Sequence, residues 1–94
     1  MTIQEFQKLI EDIYFEKDNG RGLDATFLWF IEEVGELARA LKRGTREDQI
    51  EEFSDVLAWL TTMANIQGID LEEAAKLKYR DGCPKCGHTP CRCP

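Results

Sequence analysis

No stretch of the 94 residues approaches the apolar length that spans a bilayer. No basic lead followed by an unbroken apolar run opens the chain. Met1-Thr2-Ile3-Gln4-Glu5 carries an early acid instead, which argues against a secretory signal and makes the cytoplasm the expected location. Strand-like alternation is nearly missing, so a sheet-based fold is not expected. Positive charge is in the minority: 12 Lys and Arg against 18 Asp and Glu leave a net charge of −6. Without an overall basic field, a general nucleic-acid binder is disfavoured. Cysteine is missing from the body of the chain, all four residues falling between Cys83 and Cys93.

What is present is an ordinary globular composition, 43% hydrophobic and 32% charged, rather than a disordered one. The length leaves room for one domain, and a core that small often leans on a metal or a partner subunit. Acids concentrate between Glu32 and Glu73, whereas Lys76, Lys78, Arg80, Lys85 and Arg92 make the C-terminal end basic.

Helical periodicity organises residues 1–80. Thr2 and Glu5 have capping-box spacing, and Ile3, Phe6, Leu9, Ile10 and Ile13 recur at helical intervals. The run from Lys17 to Gly22, with two glycines and turn formers, predicts that the first helix stops near Glu16. Asp24 is the expected N-cap of a second helix that reaches about Lys42, before Gly44. Thr45 caps a third, which Gly68 ends in a left-handed conformation. Asp70 caps a short fourth, continuing to about Arg80. Four amphipathic helices with short links predict an all-α four-helix bundle. The wide apolar stripes of the second and third helices make a homo-oligomer, dimer or tetramer, the expected state. Residues 81–94 form a separate irregular tail.

A near repetition carries the chemistry. Ile31-Glu32-Glu33-Val34-Gly35-Glu36-Leu37 matches Ile50-Glu51-Glu52-Phe53-Ser54-Asp55-Val56 in the placement of acids and apolar residues. At about 100° per residue, Glu33 and Glu36 fall at the border of one apolar stripe, and Glu52 and Asp55 at the border of the next. Residues three apart are neighbours on a helix surface, so antiparallel packing can bring both pairs into one cleft. Four carboxylates so placed repel one another, and a divalent cation relieves that cost. Oxygen-only ligands suit Mg²⁺ or Mn²⁺. Glu32 and Glu51, on the polar side, read as solvated acids.

Glu33-Val34-Gly35-Glu36 followed by Glu52-Phe53-Ser54-Asp55 resembles the ExxE…ExxD signature of the MazG-like, all-α nucleotide pyrophosphohydrolases. The resemblance extends over roughly Phe6 to Lys78. It implies Mg²⁺-dependent hydrolysis of a nucleoside triphosphate, between the α- and β-phosphates, to a monophosphate and pyrophosphate. It also implies that Glu33, Glu36, Glu52 and Asp55 hold the metal, with Glu33 and Glu36 the first candidates for the base. Lys78 stands where many family members have a phosphate-contacting Lys, and Arg80 is a candidate donor. Gly82 occupies the position of a substrate-contacting Asn, so base or sugar recognition does not carry over. For Lys78, a solvated position at the helix end is an equal alternative.

Trp29 lies one turn before Glu33, and Trp59 one turn after Asp55. Either ring suits a nucleobase, and either suits a bundle or subunit interface. In the tail, Cys83-Pro84-Lys85-Cys86 and Cys91-Arg92-Cys93 offer four thiolates for a structural Zn²⁺, with His88 an alternative ligand and free thiols the competing reading. Two other functions fit parts of the sequence. A phosphoribosyl-ATP pyrophosphohydrolase has a similar helical core, although its usual run after the Asp is not matched by Val56-Leu57-Ala58-Trp59. A non-catalytic, zinc-stapled interaction module is favoured by the tail and opposed by the doubled acid pairs.

Overall fold

Threonine starts two of the four helices in the computed structural model, which describes the whole chain from Met1 to Pro94. The helices are α1 (Ile3–Arg21), α2 (Leu23–Arg43), α3 (Arg46–Gln67) and α4 (Leu71–Tyr79), and there is no strand. At α1, Thr2 Oγ1 accepts from Glu5 N at 3.0 Å while Glu5 Oε1 accepts from Thr2 N at 2.8 Å. Thr45 and Asp48 repeat the exchange at α3, at 3.2 and 3.0 Å. Each box satisfies backbone donors that a helix start leaves free. Asp70 Oδ1 caps α4 by accepting from Glu73 N at 2.9 Å. Gly68, at φ 67° and ψ 31°, closes α3 in the left-handed region, as expected.

Two boundaries differ from the sequence reading. α1 does not stop near Glu16 but continues through Gly20 to Arg21. Local hydrogen bonds and a part-buried ion pair outweigh the weak helix preference of the turn formers. Asn19 Nδ2 donates to the Phe15 carbonyl at 3.1 Å, and Arg21 Nη1 meets Asp18 Oδ1 at 3.0 Å. The chain turns only at Gly22, whose φ of 84° suits a residue without a side chain. α2 accordingly begins at Leu23 with Gly22 as its cap, and Asp24 is not the cap. It lies in the first turn, where a negative charge faces the positive end of the helix dipole.

Gly44 and Thr45 alone link α2 to α3, and these two helices make the most extensive contact in the fold. A link so short returns the chain as an antiparallel helical hairpin. At Gly44 a Cβ would lie 2.8 Å from the Ala40 carbonyl oxygen and 2.9 Å from its Cα, so only glycine fits. α1 packs on α3 and, less widely, on α2, while α4 docks on α1. Gln7 secures that docking: its Nε2 donates to the Ile69 carbonyl at 2.7 Å and its Oε1 accepts from Leu71 N at 2.9 Å.

The core of one chain is slight. Only Ile10, Ala40 and Ala64 are buried apolar residues, beside buried Thr26, Thr61, Thr62 and Asp18. Phe27, Ile31, Phe53 and Leu57 stay about half exposed on α2 and α3. The radius of gyration is 15.6 Å, where a compact domain of this length has about 12.4 Å. The accessible surface is 7162 Å², against about 5,500 Å² for a folded monomer of this mass. No helix is long and apolar enough to cross a membrane.

Candidate active site and metal centres

The hairpin sets residues equally distant from Gly44 across from each other. Glu36 and Glu52 lie eight residues from it, Glu33 and Asp55 eleven, and Trp29 and Trp59 fifteen. One carboxylate oxygen from each of Glu33, Glu52 and Asp55 lies within 4.8 Å of the other two. All three are half-buried, as is Glu36, whereas Glu32 and Glu51 are exposed. Glu36 stands outside the tight group, but its charge bears on both Glu33 and Glu52.

Electrostatics fit a cation here. Burial, then the charges of Asp55, Glu52 and Glu36, raise the Glu33 carboxyl above its ordinary value. Burial, followed by Asp55 and Glu36, does the same to Glu52. Glu52 Oε2 is buried with no hydrogen-bond partner. A buried orphan acceptor among like charges costs free energy that a hard divalent ion removes, and carboxylate oxygens are the donors such an ion prefers.

Next to the acids, Trp29 and Trp59 stack with ring centroids 6.1 Å apart and planes 13° from parallel. The guanidinium carbon of Arg21 sits 4.9 Å from the centre of the Trp59 ring. A cleft of about 260 Å³ opens between α1 and α3. Asp55, Ala58, Trp59 and Thr62 line one wall, and Tyr14, Lys17, Asp18 and Arg21 the other. Ending α1 near Glu16, the sequence reading assigns Lys17, Asp18 and Arg21 to a turn and so does not name them as site residues. Their spacing of three, four and seven residues from Tyr14 was the available signal, since it marks one helix face.

Neither Lys78 nor Arg80 lines the cleft at Asp55. Lys78 Nζ lies 5.6 Å from the Tyr79 ring centre and lines a groove formed with the tail, and Arg80 follows the last turn of α4, exposed.

In the tail, the sulfurs of Cys83, Cys86, Cys91 and Cys93 lie within 4.8 Å of one another, and none is in a disulfide. His88 is not in that group. Cys83 Sγ and Cys93 Sγ are 3.7 Å apart, close to the edge of about 3.8 Å in a tetrahedron with metal–sulfur bonds near 2.3 Å. Backbone N–H groups of Arg92 and His88, then the His88 ring, draw the Cys86 thiol down to about 6. The neighbouring Cys91, Cys83 and Cys86 side chains push Cys93 up to about 11. Four sulfurs of which one is already a thiolate near neutral pH can hold a metal ion. Gly82 belongs to this fold-back: a side chain there would collide with Thr89 Oγ1 and the His88 carbonyl, and φ is 100°.

Residues 21–86 match the family model described as the MazG nucleotide pyrophosphohydrolase domain. The match takes in Arg21, both acidic helices, α4 and the first cysteine pair. No curated protein matches the chain.

Proposed function

Since the chain belongs to the MazG nucleotide pyrophosphohydrolase family, we propose that it hydrolyses nucleoside triphosphates to a monophosphate and pyrophosphate with Mg²⁺ held by Glu33, Glu52 and Asp55. The observation that carries this reading is the convergence of those three carboxylates, with one buried oxygen unpartnered. Mn²⁺ suits the same donors. When bound, the ion neutralises phosphate oxygens and makes water easier to deprotonate.

The chain's own groups do the rest. A water oxygen bonds to the α-phosphorus, and the bond from that phosphorus to the oxygen bridging toward the β-phosphate breaks. The bridging oxygen leaves with pyrophosphate, and a carboxylate takes the proton from water. Glu33 and Glu36 are the candidates for that base. Glu36 serves either as base or as a fourth ligand. Trp29, stacked on Trp59 beside the acids, is the candidate surface for a nucleobase. Lys78 and Arg80 reach substrate only if the completed assembly brings a tail end to an acidic hairpin.

We read the functional unit as a homo-oligomer, dimer or tetramer. The surface in excess of a compact monomer, about 1,600 Å² per chain, is of the size an obligate interface buries. In the tail, Zn²⁺ fits the four sulfurs, and with every position filled by protein it is structural.

Purified protein incubated with a panel of nucleoside triphosphates and Mg²⁺ tests the reading. Pyrophosphate release that Asp55→Asn abolishes, with the helix content kept, supports it. No turnover of any nucleotide overturns it and leaves a zinc-stapled interaction module.

A further inference from the structure

We propose that Lys17 and Arg21 of α1 grip the terminal phosphates of the substrate, the part that leaves as pyrophosphate, in the cleft beside Asp55. The proposal rests on the hydrolase reading above and adds a second wall to its site.

A polyphosphate approaching Glu33, Glu52 and Asp55 meets charge of its own sign. A cation on those acids offsets only part of it, so the phosphates beyond the cation need positive charge from the protein. Within the cleft that opens from Asp55, Lys17 and Arg21 are the only basic side chains. Lys17 makes no ion pair within the chain and is exposed, so its ammonium is free to meet an anion.

Arg21 is held ready. Its Nη1 meets Asp18 Oδ1 at 3.0 Å and Thr26 Oγ1 at 3.3 Å, while Nε and Nη2 make no hydrogen bond within the chain. Asp18 and Thr26 are buried, so the guanidinium is fixed at one corner. The Trp59 ring supports it at 4.9 Å from its centre. The unused donors keep the planar geometry that suits two phosphate oxygens. Trp59 follows Asp55 by one helical turn, about 6 Å along the axis. Asp55, Trp59 and Arg21 line one cleft, so phosphates that extend from the carboxylates along α3 run toward the guanidinium. Asp18 lines the same wall: its Oδ1 pairs with Arg21 and orients the guanidinium, while its Oδ2 is buried without a hydrogen-bond partner.

The test is calorimetric binding of inorganic pyrophosphate in Mg²⁺ to the full chain, compared with binding of nucleoside monophosphate. Lys17→Ala and Arg21→Lys are each expected to weaken pyrophosphate binding by about tenfold, or about 1.4 kcal/mol, and to leave monophosphate binding within about twofold. Lys17→Ala, at an exposed and unpaired position, should keep the wild-type melting temperature. Pyrophosphate binding unchanged in Lys17→Ala and Arg21→Lys overturns the proposal. So does an equal loss for the monophosphate, which marks a general structural effect. If the wild type releases pyrophosphate from nucleotides while the variants bind pyrophosphate normally, this proposal fails and the hydrolase reading stands. A wild type that neither turns over nucleotides nor binds pyrophosphate removes both.

Discussion

Trp29 and Trp59 stack at 6.1 Å between ring centroids because each lies fifteen residues from Gly44, one on each arm of the α2–α3 hairpin. The same mirror relation sets Glu33 across from Asp55 and Glu36 across from Glu52. The turn at Gly44 therefore registers the whole site.

Gly44→Ala should disturb that register. Its Cβ would press on the Ala40 backbone at 2.8 and 2.9 Å, and backbone cannot swing aside as a flexible side chain can. We expect a loss of about 1–3 kcal/mol, as for overpacking, measured by urea or thermal unfolding. An unchanged midpoint would show that the turn has slack.

Metal-free protein should lose stability as pH rises from weakly acidic to neutral, to the extent that Glu33 and Glu52 control it. Both bind their protons more tightly folded than unfolded. Their contribution is fully present below the ordinary value of 4.5 and is lost as pH climbs through the raised values. Glu52→Gln should flatten this slope, and saturating Mg²⁺ should reverse it, because deprotonated carboxylates bind the ion. Melting temperatures of the two proteins between pH 5 and pH 8 give the answer; parallel curves would count against a strained acid cluster.

Glu36→Gln separates two roles. As base, Glu36 is expected to cost at least about a hundredfold in turnover while Mg²⁺ affinity is kept. As ligand, its loss weakens Mg²⁺ binding and turnover together. Calorimetric Mg²⁺ titration beside pyrophosphate release distinguishes these, and wild-type values for both would remove Glu36 from the site.

In the metal-free tail, Cys86 should be alkylated fastest, its rate rising through pH 6 as the thiolate forms, while Cys93, pushed up to about 11, reacts slowest. One equivalent of Zn²⁺ should protect all four thiols. Mass spectrometry of iodoacetamide-treated protein reads both effects. Uniform reactivity with and without zinc would mean that the sulfurs are not gathered in solution.

Phe53→Glu should dissociate the oligomer, because Phe53 is 56% exposed on one chain and its neighbours on α2 and α3 are also apolar. Sedimentation of the variant as a folded single chain is the expected result. A wild type that is already monomeric at micromolar concentration would exclude the assembly.

The sequence by itself determined the four helices, three of their N-caps, the C-cap at Gly68, and the placement of Glu33, Glu36, Glu52 and Asp55 beside apolar stripes. These are local properties, set by hydrogen-bonding side chains at helix starts and by helical periodicity. It misplaced the end of α1, because the Asp18–Arg21 pair and burial against other helices override the local preference of Asp18, Asn19 and Gly20 for turns. Tertiary structure alone decided which acids converge, that Trp29 stacks on Trp59, and that Tyr14, Lys17 and Arg21 face Asp55. Across helices, those contacts join residues 19 to 41 positions apart, and their geometry depends on how the helices cross and on the steric limit at Gly44. Periodicity fixes which side of a helix a residue occupies, but only packing fixes what that side meets.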